Sequence, residues 1–161
     1  MTLAEAAAQA ASLSERELAG LRTRWADELE AAARSPDFRE RAVAYRAIGQ
    51  MRYRQKLELL ARGLGDESPA CRGAALLSLE LLSREHPGPV NSVRSRLHQL
   101  ANADPNAAVR RLAVLCLKNG SPQRDTIGLL TGLADDERQD RELQTAAGRV
   151  ADALRRRARE R

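Results

Sequence analysis

Asp66-Glu-Ser-Pro-Ala-Cys71-Arg72-Gly-Ala-Ala75-Leu-Leu-Ser-Leu79 is a stretch that the chain writes twice. The second version reads Asp104-Pro-Asn-Ala-Ala-Val109-Arg110-Arg-Leu-Ala113-Val-Leu-Cys-Leu117. In both, an Asp is followed by four residues, then a small apolar residue and an Arg, with Ala three positions on and Leu four after that. Such recurrence marks one supersecondary unit used several times. A third version, Arg41, Ala44, Ile48 and Gly49, follows a shortened turn after Asp37. A fourth is looser: Gly132-Leu133-Ala-Asp135 and Arg141 mirror Gly63-Leu64-Gly-Asp66 and Arg72. There the Ala147 and Ala151 stripe needs about three inserted residues, a departure expected of a terminal repeat. The Ala positions 44, 75, 113 and 147 are spaced by 31, 38 and 34, and the longest interval holds Pro87-Gly88-Pro89.

Composition agrees with stacked helices. The chain has 161 residues, 43% of them hydrophobic, enough for one domain with a sizeable core. Aromatics are only 2%, so that core must come from Ala, Leu and Val, which favours closely packed helices over strands. The net charge of +5 is local: residues 155–161 hold five Arg against one Glu. A second basic excess spans residues 34–62, where eight cations face three carboxylates. Arg outnumbers Lys 25 to 2, as a GC-rich bacterial genome would produce.

Periodicity and stop signals divide the chain. Thr2 caps a first short helix, and Ser14 with Glu17 forms a capping box for a second. Leu18, Leu21, Trp25, Leu29 and Ala32 then mark one buried face. Ser35-Pro36-Asp37 breaks the chain before a helix at about 38–50, with Val43, Ala44, Ala47 and Ile48 inward. A helix at about 54–64 buries Leu57, Leu60 and Leu64. Ser68 and Pro69 open the next, to about residue 84. Helices follow at about 90–102, from the Asp104-Pro105 cap to Lys118, from Ser121-Pro122 to Leu133, and from near Gln139 to Leu154. Asn119-Gly120 reads as a C-terminal helix signal. The expected layout is an N-terminal helical cap (1–28), a repeat domain (29–154) and a basic tail (155–161).

The hairpins from about Leu29 to Leu154 resemble HEAT repeats, the short bacterial HEAT-like kind first noted in phycobilin lyases. In that family the second helix carries Asp, a Val-Arg pair, Ala and Leu-Gly, which Cys71-Arg72-Ala75-Leu79 and Val109-Arg110-Ala113-Leu117 match. The resemblance implies an all-α fold: a right-handed α-solenoid of about four HEAT-like hairpins with an extra N-terminal helix. It also implies ladders in which Arg72 and Arg110 pair with turn acids such as Asp66 and Asp104. On that reading Arg41, Arg72 and Arg110 form a column, with Arg141 a fourth member.

No catalytic or metal site is expected. His86 and His98 lack ligand spacing with Cys or each other, and no phosphate loop or nucleophile elbow appears. Asp135-Asp136 suits a helix start. Cys71 and Cys116 fall on apolar stripes and read as buried thiols of a cytoplasmic protein. The Ala-rich start holds Glu5 and lacks a basic segment, so it is not a secretion signal, and no stretch approaches the roughly 20 apolar residues of a membrane span.

What remains is binding without a cofactor. The first expectation is a scaffold or adaptor that takes a protein partner, an acidic one if it meets Arg39, Arg41, Arg46, Arg52, Arg54 and Lys56, with Arg72 and Arg110 as further contacts. Those cations could equally be answered by the acidic first helices of the chain, where six carboxylates face three cations. The alternative is a nucleic-acid-binding protein like the HEAT-like DNA-repair glycosylases, contacting phosphates through Arg. Four aromatic residues supply little stacking surface for it. A tetrapyrrole chaperone is suggested by the repeat type alone.

Overall fold

The computed structural model describes residues 1–160 and is helical throughout: no strand occurs among the described residues. It divides into two compact units, Met1–Leu82 and Ser83 onward.

The first unit holds α1 (Leu3–Gln9), α2 (Glu15–Ala33), α3 (Phe38–Gln50), α4 (Leu57–Gly63) and α5 (Pro69–Leu82). Capping boxes at Thr2/Glu5 and Ser14/Glu17 start α1 and α2 as expected. Helix α2 runs through residue 28 without a break, and both α1 and α2 pack on α3. The expected separate cap is therefore part of this unit's core. Leu18, Trp25 and Leu29 are buried beside Tyr45, Ile48 and Met51.

Helices α3 and α5 make the most extensive contact of the unit. The inner face of α3 is Ala44, Tyr45, Ala47 and Ile48, so Val43, expected inward, turns outward and is 37% exposed. Where the helices cross, Gly49 N–H donates to Ser78 Oγ at 2.9 Å, and the same hydroxyl donates to Tyr45 O. A Cβ on Gly49 would stand 2.6 Å from Ser78 Cα, which is backbone and cannot rotate away. Helix α3 closes with Tyr53 N–H on Ile48 O and Arg52 N–H on Gly49 O, the Schellman pair. Arg52 occupies its left-handed position (φ 49°), which usually takes Gly. A 3-10 turn at Arg54–Lys56 delays α4. Leu57 is therefore only half-buried, and Leu59 joins Leu60 and Leu64 in the core.

The second unit holds α6 (Gly88–Asn91), α7 (Arg94–Ala103), α8 (Ala107–Leu117), α9 (Arg124–Asp135) and α10 (Arg141–Arg159). The helix expected at 90–102 is broken at Val93, which leaves helical geometry (φ −122°, ψ 18°). Asn106, not Asp104, caps α8 by accepting from Val109 N–H at 3.0 Å. Asp104 instead accepts from Asn106 N–H at 2.9 Å and shapes the turn. Helix α9 starts at Arg124 rather than Ser121, because Ser121 is held in the loop by Asn91 on both its N–H and its hydroxyl. Gly120 is not left-handed; it is small because a Cβ would lie 2.6 Å from Val90 Cγ1. The expected tail is helix as far as Arg159: Arg155 donates to Thr131 Oγ1 and Arg157 to Gly120 O. Arg161 lies outside the described residues.

Four hairpins result, α2/α3 and α4/α5 in the first unit and α7/α8 and α9/α10 in the second, with α1 as the extra helix. This is the all-α repeat class the sequence implied.

Gly49→Ala should overpack the α3/α5 crossing and cost about 1–3 kcal/mol, read as a lower urea midpoint at unchanged slope. Arg52→Gly should shift the midpoint the other way, by about 1 kcal/mol, because it relieves the left-handed strain of a residue bearing Cβ.

Candidate functional site

Counting from the helix caps puts the four hairpins in one register. Asp37, Asn106 and Asp140 cap α3, α8 and α10, and Ser68 precedes Pro69 at the start of α5. Seven residues past these positions lie Ala44, Ala75, Ala113 and Ala147, all fully buried. Four residues past them lie Arg41, Arg72, Arg110 and Gln144. The fourth ladder position is therefore Gln144 and not Arg141, and the apparent insertion in the last repeat lies in the loop before its cap.

These side chains hold turns together. Arg41 Nη1 donates to Ser35 O and Pro36 O at 3.0 and 3.2 Å. Arg72 Nη1 repeats this on Asp66 O and Glu67 O, at 2.9 and 3.2 Å. Gln144 Nε2 donates to Asp136 O at 2.8 Å. Arg41 also grips Asp66 of the next hairpin through two hydrogen bonds of 2.9 and 3.0 Å, with side chains only 13% and 8% exposed. Burial pushes the Asp66 carboxyl up, but hydrogen bonds from Arg41 and Ser68 N–H, with the Arg41 charge, leave it below its ordinary value. Arg110 reaches Asp140 only at 3.8 Å, and its buried Nε has no hydrogen-bond partner among the described residues. That rung is weaker because the last hairpin carries its acid at the cap itself rather than two residues before it.

The basic segment does not form one free surface. Arg39 pairs with its own cap Asp37 at 3.1 Å, and Lys56 meets Glu30 at 2.6 Å. Arg52 lies 3.8 Å from Glu15, and Arg54 donates to Leu82 O at 3.2 Å. Arg46 is half-buried, with Nη1 enclosed and without a hydrogen-bond partner among the described residues. The acidic helix α2 answers much of this charge within the same unit.

Free cations gather instead in the second unit, in a cleft of 710 Å³ between α8 and α10. Leu115, Ala146, Val150 and Ala153 give it an apolar floor. Lys118, Arg141, Arg149 and Arg156 stand around it, exposed and without an ion pair or side-chain hydrogen bond among the described residues. Its two acids are already engaged, Glu142 by Arg111 and Asp152 by Arg155. Sequence reading missed this site because residues from two helices more than 20 positions apart compose it. The one available signal was Leu115, which breaks the polar face of its helix.

The cleft has no nucleophile paired with a base. Elsewhere in the unit His98 Nε2 meets Thr126 Oγ1 at 2.9 Å, and Thr126 is fully buried. Burial lowers the His98 pKa, against the opposing charge of Asp125, so the ring is held neutral as a core hydrogen-bonding group. Cys71 and Cys116 are buried and are not joined in a disulfide.

Because the folded Asp66 carboxyl has the lower pKa, its contribution is present above the unfolded value of about 3.9 and is lost as pH falls through the folded value. Asp66→Asn should lower the melting temperature at pH 7 by roughly 4–10 °C and should flatten the acid limb of a melting curve series from pH 7 to 3.

Residues 26–94 match a family model described as HEAT repeats, a span that takes in α2 to α5. The match does not narrow these to the phycobilin-lyase kind. No curated protein matches the chain. Among the described residues no helix is long and apolar enough to cross a membrane. Within residues 26–94 the repeated turn, the buried Ala register and the Arg ladder are thus those of HEAT repeats.

Proposed function

We propose that this chain is a non-enzymatic adaptor that docks protein through outward-facing residues of the second helices in each of its two units. The observation that carries the reading is a repeated exposed leucine. Leu77 and Leu115 lie nine residues past the helix-opening position in α5 and α8, and are 40% and 43% exposed. Single exposed apolar residues are ordinary. The equivalent positions of α3 and α10 are Arg46 and Arg149, so this register carries leucine in two repeats and arginine in the other two, residues suited to contact a partner. HEAT repeats commonly serve protein interaction, which agrees with this reading.

Nucleic-acid binding is less well supported. Trp25 and Tyr45 are buried and Tyr53 is half-buried, so Phe38 is the one well-exposed aromatic side chain available for stacking. The ladder arginines are held by turn carbonyls and carboxylates rather than offered to phosphates.

The test is capture from native lysate with in-situ cross-linking, comparing wild type with a Leu77→Ser/Leu115→Ser variant. Both positions are exposed, so the melting temperature should change by no more than a few degrees. A defined protein cross-linked to α5 or α8, with recovery reduced roughly tenfold in the variant, is the expected result. Equal recovery, or capture of nucleic acid that high salt removes, would reject the adaptor reading.

A further inference from the structure

We infer that the cleft between α8 and α10 receives an acidic amphipathic segment of the partner, seating apolar side chains on its floor and carboxylates against its rim. This rests on the adaptor reading and specifies where and by what chemistry the partner binds. Two features select the occupant. The floor of Leu115, Ala146, Val150 and Ala153 offers apolar area with no aromatic surface for stacking bases. A purely phosphate-binding groove would have no use for it. The rim supplies four cations, Lys118, Arg141, Arg149 and Arg156, left without partners among the described residues.

These cations differ in kind from the ladder arginines. Arg41 and Arg72 are already engaged by the fold. The rim charges point into solvent while the acids beside them are taken up by Arg111 and Arg155, so nothing within the cleft neutralises them. Complementary charge set around a small apolar centre favours a helix or strand with carboxylates flanking a few Leu-sized residues.

The probe is a fluorescein-labelled synthetic helical peptide of Glu and Leu, with Leu at every third and fourth position, titrated into the full chain and read by anisotropy. Two controls accompany it: the same peptide with Ser for each Leu, and a labelled single-stranded oligonucleotide of equal charge. The wild-type chain should bind the Glu/Leu peptide saturably, and Lys118→Glu/Arg149→Glu should weaken it at least roughly tenfold. Leu115→Ser should weaken it several-fold at unchanged melting temperature. Equal affinity for the Ser peptide, or no saturable binding at all, would overturn the proposal. So would tighter binding of the oligonucleotide, or a dimer of the chain that dissociates on Leu115→Ser while the peptide is ignored. If a lysate partner is captured but cross-links outside α8 and α10, the adaptor reading survives and this inference fails.

Discussion

A helical hairpin of this size cannot bury both of its faces, so its second helix must lie against the second helix of a neighbour at close range. Ala44, Ala75, Ala113 and Ala147 meet that constraint, each fully buried seven residues past a helix-opening position. A larger side chain there would push the helices apart and open the core around it. In the first unit the approach is closer still. Gly49 lies against the backbone of Ser78, and the Ser78 hydroxyl bridges the two helices. Packing of this kind does not need aromatic residues, which is why four suffice for the whole chain.

Once the helices are this close, the turns between them carry exposed carbonyls that need donors. The ladder arginines supply these, four residues past the cap, and Gln144 does the same in the last hairpin. A guanidinium has more donors than one turn can use. Arg41 therefore places two of its remaining three on Asp66 of the next hairpin and couples neighbouring repeats. Removing one partner of such a mostly buried pair leaves the other without its hydrogen bonds, a loss that falls on the fold directly.

Charge then separates into two populations. In the first unit, acids on α2 and in the turns meet most of the basic segment, and in the second the cations of the α8/α10 cleft have no partner among the described residues. Net charge does not distinguish them, because it counts both alike. Surface charge held in pairs adds little to affinity or stability, whereas unpaired charge around apolar area steers and selects a partner.

The sequence by itself determined the repeat, the all-α class, most helix positions and the small-residue register. Each of these is written locally, in caps, turn residues and periodicity. Thr2, Ser14 and the buried stripe of α2 stand where local rules put them. Only the tertiary structure decided that Val43 faces out and that α10 continues to Arg159. It also decided that Gln144 rather than Arg141 completes the ladder, and that Lys118 joins Arg149 around Leu115. Those outcomes turn on which side chain from another helix arrives to pair with or cover a residue, and single-chain periodicity carries no record of the neighbour.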